Sequence, residues 1–169
     1  MPTFRKATKE DAERIVDINI NSWKETYKNI FPDGFLLSLD QKREEAKEKC
    51  INNIDEYVVA IDDDKVVGFA RIGANKKDYP ENYAEIYSLY LDNDYRSKKI
   101  GTDIVNYSFD LLKDKYDHCL ISTLDNNSAN EFYQKIGGKN IGTCNFELQD
   151  NNYTENIYEY DFSDQQINY

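Results

Sequence analysis

A chain of 169 residues with 32 acidic against 21 basic side chains, a formal charge of -11, has room for one sheet covered by helices and predicts a single domain over 1–169. That charge argues against a nucleic-acid backbone or an anionic membrane as partner. No apolar run approaches the ~20 residues of a membrane span, the start lacks the apolar centre of a signal peptide, and Cys50, Cys119 and Cys144 are odd in number and carry no metal-ligand spacing, which together predict a cytoplasmic protein with reduced thiols and no metal.

In chain order, Thr3 to Ala7 reads as a short strand, and Thr8-Lys9-Glu10-Asp11 has the capping-box form of a helix start. Ala12, Ile15, Val16, Asn19, Ile20 and Trp23 recur at helical spacing, so a helix runs to the region of Trp23 to Tyr27. Pro32 and its aromatic neighbours break the pattern, and Phe35 to Leu39 and Lys42 to Asn53 suggest two further short helices. Tyr57 to Ile61 and Val66 to Ile72 flank Asp62-Asp63-Asp64-Lys65 and predict a β-hairpin. Three consecutive aspartates on one turn cannot converge on a single ion, so turn chemistry accounts for them better than a metal does.

Ala84 to Leu91 reads as the central strand, and a polar turn then leads through basic residues into a helix-period pattern of Ile100, Gly101, Ile104, Val105, Ser108 and Leu112. A strand that turns into a helix N-terminus beside cations offers unpaired N–H groups and a favourable dipole end to a phosphate. His118 to Leu124 is apolar enough for a buried strand; within it His118 and Cys119 point to opposite faces, which argues against a catalytic thiol pair. Asp125-Asn126-Asn127-Ser128 supplies helix caps. Ala129, Phe132, Tyr133 and Ile136 share one face, and Gly137-Gly138 stops the helix. Lys139 to Leu148 and Tyr153 to Phe162 predict two last strands around a turn at Asp150-Asn151-Asn152, with 163–169 a frayed tail.

Two segments carry a family likeness. Arg96-Ser97-Lys98-Lys99-Ile100-Gly101 resembles the pyrophosphate loop of the GNAT superfamily of acetyl-CoA-dependent N-acetyltransferases, and Asn126-Asn127-Ser128-Ala129-Asn130-Glu131-Phe132-Tyr133-Gln134-Lys135-Ile136-Gly137 resembles that family's later helix. The two stand in the right order with a strand between them, and the likeness covers almost the whole chain. It implies an α/β (α+β) fold with a mixed, mainly antiparallel sheet of about seven strands flanked by helices, the central strand splaying from its neighbour at a bulge. It also implies acetyl-CoA as acyl donor, with the backbone of Leu89 and Leu91 along the thioester and pantetheine. Arg96, Ser97, Lys98, Lys99, Ile100, Gly101 and Thr102 would surround the pyrophosphate, and Asn126, Ala129 and Tyr133 would border the cofactor arm.

Lys99 stands where the family usually has its first glycine, and binding survives if it takes an ordinary backbone conformation with its side chain outward. Gly138 replaces a common phenylalanine, a matter of packing. By the same resemblance Tyr133 is the general acid, Glu85 the general base and the N–H of Leu89 the oxyanion donor. Glu85 read without the family is equally an edge or surface carboxylate, and Tyr133 a core residue.

The acceptor is the least legible part. Ser22-Trp23-Lys24-Glu25-Thr26-Tyr27 with Ile30-Phe31-Pro32 resembles a segment that borders the acceptor pocket in many bacterial GNATs, including relatives of polyamine acetyltransferases. Trp23, Tyr27 and Phe31 lie four apart, so they are either a pocket for a small cationic amine such as a polyamine or a core-facing helical stripe. The scaffold also suits a non-catalytic acyl-CoA sensor, a partner-binding module, or acetylation of a protein or peptide amine. The presence of Tyr133, the Leu89 strand and the phosphate loop together favours the enzyme; a homodimer is left open.

Overall fold

In chain order the computed structural model has β1 (Thr3–Lys6), α1 (Ala12–Tyr27), α2 (Asp33–Gln41), α3 (Arg43–Asn52), β2 (Tyr57–Asp62), β3 (Lys65–Ala74), β4 (Tyr83–Leu91), α4 (Ile100–Leu112), β5 (His118–Leu124), α5 (Ala129–Lys135), β6 (Lys139–Leu148) and β7 (Asn151–Asp161). The structure describes residues 1–96 and 99–164; Ser97, Lys98 and the tail from 165 lie outside the described residues. The strands make a seven-stranded sheet in the order β1-β2-β3-β4-β5-β7-β6. β4 and β5 pair in parallel from Tyr83↔His118 to Ile86↔Ile121, whereas β1/β2, β2/β3, β5/β7 and β6/β7 are antiparallel. This is the mixed, mainly antiparallel sheet expected from the sequence. Among the described residues no helix is long and apolar enough to cross a membrane.

The chain divides into two compact units, one made of Met1–Arg71 and Ser88–Val105, the other of Ile72–Tyr87 and the residues from Asn106 onward. In the first unit, α1 packs Ala12, Ile15, Val16, Ile18 and Ile20 against Val59, Val66 and Phe69 of the sheet and Cys50 of α3. The apolar stripe is broader than the sequence spacing suggested, because α1 has neighbours on two sides; Ile18 joins the core. Each such aliphatic side chain withdrawn from water contributes about 1.5–3 kcal/mol.

The start of α1 follows the capping logic. After a short 3-10 turn at Lys9–Asp11, the Asp11 carboxylate accepts the Thr8 N–H at 2.8 Å and both guanidinium nitrogens of Arg5 at 2.7 and 3.1 Å. Hydrogen bonding from Arg5 outweighs burial and, with the Thr8 amide, holds the Asp11 carboxyl below its usual range. The β2/β3 hairpin turns on Asp63 and Asp64, with φ of 49° and 59°, the paired left-handed residues of a type I′ turn.

In the second unit β5 pairs with β7 from His118↔Asp161 to Leu124↔Glu155, and β6 lines the outer edge of β7. The last turn differs from the prediction. It uses Gln149 and Asp150, at φ 52° and 63°, and Asn151 and Asn152 already pair with Leu148 and Glu147. A two-residue I′ turn matches strand twist, and that closure outweighed the local preference of the asparagines. A bulge at Asn140/Gly142, with Gly142 at φ 149°, bends β6. The predicted tail begins as a 3-10 turn at Phe162–Asp164, its Ser163 N–H bonded to the Asp161 carboxylate at 2.8 Å.

Candidate active site

The end of β4 is held firmly in the first unit. The Asp92 N–H donates to the Val67 carbonyl at 2.8 Å, and Arg14 on α1 pairs with the Asp92 carboxylate while its Nε donates to the Val66 carbonyl at 2.9 Å. Gly68 permits this approach: a Cβ there would lie 3.2 Å from the Tyr90 carbonyl oxygen and collide with the Leu91 side chain. Beside Leu91 lies a cleft of about 270 Å³ bordered by Arg14, Ser22 and Glu25 of α1 and by Asn93. The Ser22 hydroxyl reaches the Leu91 carbonyl at 3.4 Å.

From β4 the chain passes a 3-10 turn at Asn93–Tyr95 to an exposed Arg96 and resumes at Lys99. Here the structure corrects the expected ordinary conformation. Lys99 has φ 62°, the left-handed course that a glycine adopts without strain and a lysine adopts at a cost of about 1–2 kcal/mol. Its carbonyl accepts the Asp103 N–H at 3.1 Å and so opens α4. The side chain is exposed, whereas Ile100 and Thr102 are buried, so at those two positions only the backbone is offered to a ligand. A 13-residue helix whose first amides lack intrahelical partners, flanked by the exposed cations Arg96 and Lys99, suits the diphosphate of a coenzyme A thioester. Ser97 and Lys98, expected in this loop, lie outside the described residues.

In the second unit Glu85 is neither an edge nor a surface carboxylate. It is 4% exposed, and its two oxygens accept the Lys76 N–H at 2.9 Å and the Lys77 ammonium at 2.8 Å. Burial pulls the Lys77 ammonium down, but the hydrogen bond and charge of Glu85 outweigh it and leave Lys77 above its usual value. Sequence reading missed Lys77, since nothing local marks a lysine eight residues before the carboxylate it will meet.

Tyr133 on α5 is buried at 7% exposure, its ring 5.3 Å from Phe132 and 6.1 Å from Tyr158. Its carbonyl accepts the Tyr160 hydroxyl at 2.7 Å and the Gly138 N–H at 2.9 Å. A Cβ at Gly138 would stand 2.6 Å from that carbonyl oxygen, so this backbone path has room only for glycine there. Asn126 is exposed and Ala129 half-buried at the start of α5. The cap comes from Asn127, not Ser128: its Oδ1 accepts the Ala129 N–H at 2.9 Å, as an Asx turn does. Asn130, also missed, donates to the carbonyls of Leu124 at 2.8 Å and Asn127 at 2.7 Å and accepts the Tyr158 hydroxyl at 2.7 Å.

Trp23, Tyr27 and Phe31 do meet, though not as a helical stripe. α1 ends at Tyr27, whose carbonyl accepts the N–H groups of Ile30 and Phe31 at 3.0 and 2.9 Å, and Phe31 folds back to stack on Trp23 with centroids 5.6 Å apart. Phe35 of α2 joins them, 5.9 Å from Phe31. Tyr27 and Phe31 are buried; Trp23 is partly buried.

The cysteines have no nucleophile's setting. Burial pushes the Cys50 thiol up to about 11 and the Cys119 thiol further, and His118 stacks on Tyr83 at 4.3 Å beside Glu159.

Residues 20–138 match the model of the acetyltransferase (GNAT) family. The chain belongs to this family. As a GNAT enzyme it is an acetyl-CoA-dependent acetyltransferase, and its relatives bear similar names. It is 27% identical over 149 residues to the uncharacterised N-acetyltransferase YuaI of Bacillus subtilis (strain 168), covering 88% of this chain and 86% of that one. It is 30% identical over 148 residues to a spermidine N(1)-acetyltransferase of Thermoplasma acidophilum, covering 80% and 87%. The fold superposes with a TM-score of 0.75 on the PaiA N-acetyltransferase of T. acidophilum in complex with coenzyme A, at 25% identity over 96% of this chain and 99% of that chain.

Proposed function

We propose that this GNAT enzyme transfers the acetyl group of acetyl-CoA to a primary amine of a small cationic acceptor, a polyamine first among them. The observation that carries the reading is the 30% identity to a spermidine N(1)-acetyltransferase over most of both chains. The excess of acidic residues and the partly exposed Trp23 packed on Tyr27 and Phe31 support it, since aromatic faces and a negative field both favour an ammonium group.

In this reading the backbone of Leu89 and Leu91 lies along the pantetheine arm, and Arg96, Lys99 and the first amides of α4 hold the diphosphate. Asn126 and Ala129 border the arm. The bound thioester supplies an activated acyl carbon and a thiolate leaving group. Glu85 takes one proton from the acceptor ammonium; each of its oxygens keeps a lone pair beyond the bonds to Lys76 and Lys77. The amine nitrogen then bonds to the acyl carbon as the C–S bond breaks, and the N–H of Leu89 stabilises the oxyanion between. Tyr133 gives its proton to the departing sulfur, and its phenolate then takes the second proton from the nitrogen that has become the amide; an ordinary tyrosine holds its proton at neutral pH.

The test is release of free CoA thiol from acetyl-CoA with spermidine, free amino acids, aminoglycosides and a lysine peptide supplied separately. Spermidine is expected to give the highest kcat/KM, and Tyr133→Phe to lower kcat by roughly 10- to 1000-fold with the KM for acetyl-CoA nearly unchanged. Turnover confined to the peptide or to amino acids would overturn the polyamine reading; a folded Tyr133→Phe enzyme with normal kcat would overturn the acid.

A further inference from the structure

The loop before β4 is built around Asn75. Its Nδ2 serves the carbonyls of Tyr79 at 3.2 Å, Pro80 at 3.0 Å and Tyr83 at 3.0 Å, and its Oδ1 accepts the N–H groups of Lys77 at 3.1 Å and Tyr79 at 3.0 Å. Asp78 takes the left-handed conformation, φ 63°, that lets the chain turn back. The turn so made delivers the Lys76 amide to one oxygen of Glu85 and the Lys77 ammonium to the other. The Lys76 side chain goes elsewhere, its ammonium 4.2 Å from the centre of the Tyr87 ring. Of two adjacent lysines, one is aimed at the buried carboxylate and one away from it. The pair is largely withdrawn from water, with side chains 21% and 5% exposed, so it is not one of the weak ion pairs of a protein surface.

We infer that Lys77 is a positioning residue for acetyl transfer, holding the Glu85 carboxylate in place to receive the acceptor's proton. This rests on the base role proposed for Glu85. Among the described residues, the titratable groups whose charge acts on the pair include the Cys119 thiol on β5, the Cys144 thiol on β6 and Glu155 on β7. Burial holds both thiols above their usual value, and the Coulombic attraction of Glu155 helps to raise the Lys77 ammonium.

Lys77→Met keeps the stem and removes the charge. A buried carboxylate stripped of its ammonium keeps its proton to higher pH, so the acidic limb of the acceptor's kcat/KM profile is expected to move up by about one pH unit, a tenfold loss at a fixed pH on that limb. Lys77→Arg restores the limb, and the KM for acetyl-CoA stays unchanged in both. Asn75→Ala, which keeps every charge and loosens the turn, moves the limb the same way by less, and serves where Lys77→Met does not fold. Glu85→Gln is measured beside them. If it displaces the limb and the folded Lys77→Met or Asn75→Ala enzyme does not, Lys77 has no such role. If Glu85→Gln leaves the limb in place, the base reading itself falls and the inference with it.

Discussion

At Lys99 one side chain opposes the backbone course that its loop requires. The left-handed φ of 62° is adopted without glycine, so the strain remains in the folded state. Lys99→Gly relieves that strain but adds unfolded-state entropy, so it is expected to raise stability by about 0–1 kcal/mol. Lys99→Val, β-branched, is expected to lower stability by about 1 kcal/mol or more; urea unfolding of both variants checks the contrast. Gly138 is a case of the opposite kind, a glycine needed for space. Gly138→Ala places a methyl carbon 2.6 Å from the Tyr133 carbonyl oxygen and is expected to cost about 1–3 kcal/mol. Because the same contact sets the last turn of α5, kcat should fall with it; unchanged turnover would show that α5 tolerates the shift.

At the scale of an element, the start of α1 shows how a cap ties stability to pH. The Asp11 carboxyl lies below its usual range because Arg5, then Thr8, bind the ionised form. The stabilisation is therefore complete above the ordinary carboxylate range and lost as pH falls through the lowered value in the folded protein. Asp11→Asn is expected to cost about 1 kcal/mol at pH 7, with the gap to the unmodified chain narrowing on acidification below about pH 4. Thermal unfolding of both across pH 2 to 7 would follow it; a constant gap would place the contribution in packing rather than charge. The aromatic cluster belongs to this scale as well. Its rings come from α1, the turn after it and α2; on the proposed acceptor site, Trp23→Ala is expected to raise the acceptor's KM without changing that for acetyl-CoA.

For the whole molecule, an excess of acidic over basic residues acts on a cationic acceptor at long range and is screened by salt. The acceptor's KM is expected to rise between low and 0.5 M salt, and more steeply for a polyamine than for an amino acid. Salt-insensitive acetylation would remove charge from the account of acceptor choice. Acetyl-CoA at a hundred times its Kd should stabilise the protein by about 2.7 kcal/mol. On the proposed placement of the diphosphate, Gly101→Asp is expected to abolish that shift by charge repulsion.

Much of this was legible beforehand because it is written locally. The hairpin at Asp63-Asp64, the helix start at Thr8 to Asp11 and the strand-to-helix turn before Ile100 each depend on residues a few positions apart, and spacing with turn chemistry reports such features directly. The motif around Tyr133 was likewise contiguous. What spacing could not supply was contact between distant positions. Nothing local joins Lys77 to Glu85, Arg14 to Asp92, or Trp23 to Phe35; those meetings arise when loops and helices are packed, and packing placed the Glu85 carboxylate in a buried ion pair. The same holds for conformation at Lys99 and at Gln149-Asp150, where closure of the surrounding backbone overrode the preference of the residue itself. Local preferences are worth tenths of a kilocalorie to about one, whereas the burial and pairing that a fold imposes are worth several, so packing prevails wherever the two conflict.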